Sequence, residues 1–321
     1  MQYAPVLIPT LNRDEHLKKC LESLSRCTWA DQTEVYVALD YPPSDKYVEG
    51  WKKNKEFLEN CGNMGFKKLH LIEREENYGT WNSGDRGNLR CLSKEIRKTY
   101  SRYISTEDDN VFSPNFLEYM NKGFDKFEDD DSVISLCAFR WWFPIKEEGN
   151  TFFRSGASTT PWGVGNWTKK VEKKPVLDYK WFRKHLTIKN LIKVYKNNGP
   201  SFVNAFLEFS NSDKRHARPV DQHKAIYMTL EDKYQIIPVV SLVRNIGLDG
   251  SGVSMPHNNE IMKDLYDSIP TSSDPHFEFV GTGWENYDYN KQLYIEKRNW
   301  QGRKYYIIHF FKKIVRLIKY W

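Results

Sequence analysis

The chain has 321 residues, 40% of them hydrophobic, enough to bury a large core in one domain or in one domain with an elaborated lobe. Its 48 Lys and Arg against 42 Asp and Glu leave a net charge of +6, gathered at Lys169, Lys170, Lys173 and Lys174 and again after Glu296, where no acid follows. No recognition motif accompanies these clusters, so nucleic acid is not an expected partner. The five cysteines (Cys20, Cys27, Cys61, Cys91 and Cys137) are odd in number and never form a C-x-x-C pair. That argues against a disulfide framework or a zinc site and fits a reducing compartment.

Pro5–Ile8 reads as a first strand, ended by Pro9-Thr10-Leu11-Asn12-Arg13. It follows the N-terminus without a basic leader, so no signal peptide is expected. Leu17, Leu21 and Leu24 recur at helical spacing, and Glu34–Leu39 forms a second strand that stops at Asp40 before Pro42-Pro43. A helix around 46–60, a strand at Lys68–Ile72, the Asn77-Tyr78-Gly79 turn and a helix from Gly87 to Tyr100 follow. The strand Arg102–Ser105 then precedes Glu107-Asp108-Asp109-Asn110, the helix Asn115–Phe127 and the strand Val133–Cys137. Short strands alternating with helices predict an α/β fold with a mainly parallel sheet, whose ligands bind at the carboxyl ends of the strands. Beyond residue 140 the reading is an aromatic, Gly-rich loop at Thr159–Trp167, helices around 179–195 and 221–230, and a last strand Tyr234–Val243. No run approaches the roughly 20 apolar residues that span a bilayer.

Glu107, Asp108 and Asp109 carry the strongest functional signal. Two like charges about 4 Å apart repel by roughly 4 kcal/mol at an effective dielectric near 20, so acids crowded at a strand end imply a cation. Helix capping is the competing explanation, favourable by roughly 0.3–1 kcal/mol. Ser113 as the cap with Pro114 at the first helical position would already supply it. The expected cation is a divalent metal carrying a diphosphate, Mn²⁺ or Mg²⁺.

These residues resemble a known family. Pro9-Thr10-Leu11-Asn12-Arg13, Asp40, and Glu107–Tyr119 read as E-D-D-x-x-x-x-P-x-F-x-E-Y are similar to glycosyltransferases of the GT-A fold. The first motif resembles the bacterial family 2 enzymes and the acidic one the N-acetylglucosaminyltransferase I family. The resemblance implies a GT-A α/β domain with a nucleotide-sugar half at 1–140 and an acceptor half at 141–300. It implies a hexosyl- or N-acetylhexosaminyltransferase using a UDP-sugar donor. Pro9, Thr10, Asn12, Arg13 and Asp40 would line the uridine, Glu107 and Asp108 would hold sugar or ribose hydroxyls, and Asp109 would hold the metal.

Asp221, in Arg218-Pro219-Val220-Asp221-Gln222-His223, starts a helix in the acceptor half and is the expected general base of an inverting displacement, with capping as the alternative. Trp162 and Gly163 are expected in a loop near donor sugar and acceptor, or in a purely structural turn. Gly247–Gly252 and His257 could close over the diphosphate, although a lone His is more often no ligand. Tyr305–Trp321 alternates an apolar stripe with Lys312, Lys313, Arg316 and Lys319, the pattern of an interfacial helix at 301–321. The resulting expectation is a cytoplasmic enzyme, peripheral on the anionic inner membrane face, that acts on a glycan or lipid-linked saccharide in surface polysaccharide synthesis. A sugar nucleotidyltransferase is disfavoured because Pro9–Arg13 has no Gly or Lys. A non-catalytic glycan- or membrane-binding module is the remaining alternative.

Overall fold

Four parallel strands carry the first half: β1 (Val6–Thr10), β2 (Glu34–Leu39), β3 (Lys68–Glu73) and β4 (Arg102–Ser105), side by side in the order β3-β2-β1-β4. The computed structural model describes residues 2–79, 87–141, 149–156, 160–210, 220–252 and 260–283. Both faces of this sheet are covered. Val6 and Ile8 of β1 and Val35 and Val37 of β2 pack with Leu17, Leu21 and Leu24 of α1 (Asp14–Ser25) and Leu58 of α2 (Val48–Asn60). Leu7 and Ala38 point the other way, onto Leu92 and Ile96 of α3 (Asn88–Ile96). Burial on two faces is why β1 reads as an unbroken apolar run rather than an alternating one.

The second half extends the same sheet. With β6 (Val133–Cys137), β7 (Phe152–Ser155), β8 (Val164–Trp167) and β9 (Tyr234–Pro238), the described strands run β3-β2-β1-β4-β8-β6-β9-β7. β8 lies antiparallel between β4 and β6 and joins the two halves. A two-stranded antiparallel ribbon pairs β5 (Asn110–Phe112) with β10 (Val243–Asn245). The result is a mixed, mainly parallel α/β sheet flanked by helices, as expected. α4 (Phe116–Lys126) is buried along most of its length beneath the sheet. The helices α5 (Thr168–Lys173), α6 (Tyr179–His185), α7 (Ile188–Asn198), α8 (Pro200–Phe209) and α9 (Val220–Leu230) follow. α6 to α9 share a separate core around Phe182, Val194, Phe206 and Ile226. α10 (Glu260–Asp267) completes the described elements.

Four sequence expectations change. The helix expected over 179–195 is two, because Thr187 leaves the helical path and caps α7 by accepting from Asn190 N. The strand expected over Tyr234–Val243 ends at Pro238, and Val243 pairs in the ribbon instead. Ser113 does not cap α4; Asn115 holds the cap position, and its side chain reaches Ser272 and His276 rather than the helix. Thr159–Trp167 is not wholly a loop, since Val164–Trp167 is an internal strand. The interfacial segment 301–321, His257, Arg218 and Pro219 lie outside the described residues. Among those described, no helix is long and apolar enough to cross a membrane.

Candidate functional site

Thr10 ends β1, Asp40 follows β2 and Glu107–Asp109 follow β4, so the parallel pairing sets these residues on one edge of the sheet. Arg13 stands at the start of α1 and turns its guanidinium onto the acids. Nη1 donates to Asp109 Oδ2 at 2.8 Å, and Nη2 pairs with Asp108 Oδ1. Asp108 Oδ2 accepts from Thr10 Oγ1 at 2.8 Å, and Thr10 Oγ1 in turn accepts from Asn54 Nδ2 at 3.2 Å. Asp109 Oδ1 accepts from Asn245 Nδ2 at 2.7 Å, and its backbone carbonyl accepts from Ile246 N at 2.8 Å. Glu107 Oε2 accepts from Trp162 Nε1 at 2.9 Å.

Burial decides the electrostatics. Asp108 and Asp109 are buried. Removal from water pushes the Asp108 carboxyl above its usual range despite the opposing pull of Arg13. Glu107 is pushed up to about 8, by burial first and then by the negative charge of Asp109. Burial alone would lower the Arg13 pKa, but Asp108 and Asp109 outweigh it and raise it further. Asp108 and Asp109 therefore share one guanidinium in a poorly hydrated place, where carboxylates hold a cation strongly, with Glu107 bonded beside them to Trp162.

Asp40 is differently occupied. Its Oδ1 accepts from Tyr41 N at 3.0 Å and Tyr78 N at 2.8 Å, and its Oδ2 from Gly79 N at 2.8 Å. These bonds fix the 77–79 turn beside the sheet edge, while burial raises the Asp40 pKa against them. Pro9 pairs with Ala38 within the sheet. The carbonyl of Asn12 lies so close to α2 that a Cβ at Gly50 would meet it at 2.1 Å. Gly163 has φ +68°, and a Cβ there would lie 2.9 Å from Phe116, so packing against α4 requires the glycine. Trp162 joins the cluster through Glu107 and packs edge-on against Phe139 and Tyr266. The backbone of Asp221 lies in the first turn of α9; its side chain is outside the described residues.

Of two further contributors, Asn245 carries no local signal in the sequence, and Gly247 is expected there only as the start of a run over the diphosphate. Asn245 orients Asp109 from 136 positions away. Gly247 lets the chain pass over the same carboxylate, since a Cβ there would sit 2.0 Å from Asp109 Oδ2.

The donor set fits a divalent ion of the kind that takes one or two carboxylates and fills its remaining positions with substrate phosphate oxygens and water. Asp108 Oδ1 and Asp109 Oδ2 face the same guanidinium, on Nη2 and Nη1 of Arg13 respectively. Among the described residues no group of three or more His, Cys, Asp and Glu forms an all-protein cage.

No family model matches the chain, and no curated protein does. Among solved structures it is similar to the mannosyltransferase PcManGT of Pyrobaculum calidifontis in complex with GDP-Man and Mn²⁺, at 15% identity over 53% of this chain and 46% of that one, with a TM-score of 0.36. S. aureus TarS 1-349 matches at 13% identity over 74% and 58%, with a TM-score of 0.38. The apo-form glycosyltransferase GlyE of Streptococcus pneumoniae TIGR4 matches at 13% over 73% and 44%, with a TM-score of 0.30. The chain spans about half the length of these proteins.

Proposed function

We propose that the chain is a glycosyltransferase that moves a sugar from a nucleotide-diphosphate donor, a UDP-sugar, to a hydroxyl of a glycan or lipid-linked saccharide. One observation carries this reading. Buried Asp108 and Asp109 both turn an oxygen to one cationic group, the Arg13 guanidinium, on the carboxyl edge of parallel strands, where α/β sheets take their ligands. Asp109, with Asp108 beside it, would hold Mn²⁺ or Mg²⁺. Such an ion neutralises charge that develops on a departing diphosphate.

The remaining roles belong to the chain itself. Glu107, oriented by Trp162, faces donor hydroxyls, and its raised pKa lets it donate as well as accept a hydrogen bond at neutral pH. Thr10 and Asn54 hold Asp108 in register. Pro9, Asn12, Arg13 and Asp40, with the turn that Asp40 pins, border the nucleoside, and Trp162-Gly163 borders the sugar. Asp221 takes the proton from the acceptor hydroxyl as that oxygen attacks the anomeric carbon, and the displacement inverts the configuration there. Peripheral attachment through 301–321 would keep the enzyme at the cytoplasmic face of the membrane, beside a lipid-linked acceptor.

A thermal-shift panel of nucleotide sugars with and without Mn²⁺ tests class and donor together. The expected result is a rise with a UDP-sugar that needs the metal, worth about 2.7 kcal/mol at a hundredfold excess over Kd. No shift with any nucleotide sugar rejects the proposal. Asp221→Asn should keep that shift and lose transfer by about 10²-fold or more; retained turnover removes Asp221 from the mechanism.

A further inference from the structure

The lobe built by α6 to α9 exposes an apolar stripe. On α7, Ile188 is 79% exposed, Ile192 49% and Tyr195 46%, and Val176, just before α6, is 80% exposed. Ile188, Ile192 and Tyr195 are spaced four and then three residues apart, which confines them to an arc of about 60° on a helix of 3.6 residues per turn. An adjoining side of α7 is already used. Val194 is fully buried, and Leu191 packs against the core shared with α8 and α9.

The charge around this stripe is one-sided. Residues 176–198 hold six Lys and Arg against one acid, Asp178, and of these Lys193 is paired with Asp232 at 2.8 Å. Lys180, Lys184, Lys189 and Lys196 are exposed, and the last two line one side of the stripe on α7 itself. Basic charge rules against a second copy of the same face and against the chain's own tail, because residues 303–321 hold six basic residues and no acid. A soluble polyanion would satisfy the lysines but leave Ile188 and Ile192 in water. A helix whose apolar ridge is bordered by lysines matches an anionic lipid surface, which takes the ridge below the headgroups and the charges among them.

We infer that α7 is a membrane-docking element that seats the lobe on an anionic bilayer, separately from the C-terminal segment. α7 packs on α9, the helix in which Asp221 lies, so docking would bring that helix to a lipid-linked acceptor. This purpose rests on the proposed transferase reading; the surface does not.

The experiment is co-sedimentation of the full chain with vesicles of phosphatidylcholine alone or with phosphatidylglycerol. The wild-type chain should sediment only with the anionic vesicles. Ile188→Glu with Ile192→Glu should weaken binding about tenfold or more, and Lys189→Glu with Lys196→Glu similarly, with melting temperatures unchanged because all four sites are at the surface. Unaltered sedimentation of either variant, or equal binding to neutral vesicles, overturns the inference. So does heparin binding that is equal in wild type and the Ile variant when vesicles bind neither. A nucleotide-sugar panel that shows no shift sinks the transferase alone and leaves the vesicle result standing.

Discussion

Arg13 shows how a single side chain governs the acidic cluster. Its guanidinium pairs with both Asp108 and Asp109, and under the proposed function a divalent ion would compete with it for the same oxygens. Arg13→Gln should cost about 3–5 kcal/mol, because removing one partner leaves buried carboxylates uncompensated. Urea unfolding measures that loss. Mn²⁺ should then raise the melting temperature of the variant more than that of wild type, since the ion enters without displacing a guanidinium. Equal shifts in both proteins would place metal and Arg13 at different points. The sequence resemblance implies a place for Arg13 beside the nucleoside; in the structure its guanidinium turns onto Asp108 and Asp109. Periodicity reveals that a residue follows a strand, not where its side chain turns.

Elements contribute through close approach. The turn after β10 crosses Asp109 at a distance that only glycine allows. Gly247→Ala should displace the carboxylate and abolish the metal-dependent thermal shift while circular dichroism stays unchanged; a retained shift would mean that the loop yields instead. The link from α4 to β6 is held differently. Asp130 accepts from Ser132 and from Arg154 on β7, and these bonds outweigh its burial and hold its pKa at about 2. A depressed carboxyl stabilises the fold above the usual value of 3.8, and that contribution is lost as pH falls through about 2. Asp130→Asn should therefore lower the melting temperature at pH 7 and flatten its decline between about pH 4 and 2; parallel curves would reject the linkage. Several of these elements were invisible beforehand. β5, β8 and β10 are three or four residues long, and β8 reads Val-Gly-Asn-Trp, without apolar alternation. Gly165 is there because a Cβ would lie 2.9 Å from Phe124 of α4, a contact between residues far apart in the chain.

Over the whole molecule, the sheet passes without a break across the boundary expected near residue 140, and β8 is the strand that ties the halves. A strap at 271–283 reinforces the joint. It lays Phe277 and Phe279 against Tyr119 of α4 and reaches β7 through Gly283. Glu118 accepts from Phe277 N at 3.1 Å and fastens the strap to the same helix. Phe277→Ala should cost about 3–5 kcal/mol and open the strap to limited proteolysis. A variant as stable and as resistant as wild type would show that the strap only rests on the surface.

By itself the sequence determined the alternation of strands and helices, the parallel first half and the placing of Thr10, Asp40 and Glu107–Asp109 at strand ends, because these follow from local periodicity and from what terminates each run. Tertiary structure alone decided that Arg13 bridges the acids, that Asn245 and Gly247 shape Asp109, that Asp40 pins a turn, and that α7 leaves isoleucines in water. Each of these depends on which distant segments meet, and a pattern of neighbours along the chain carries no record of contacts a hundred residues apart.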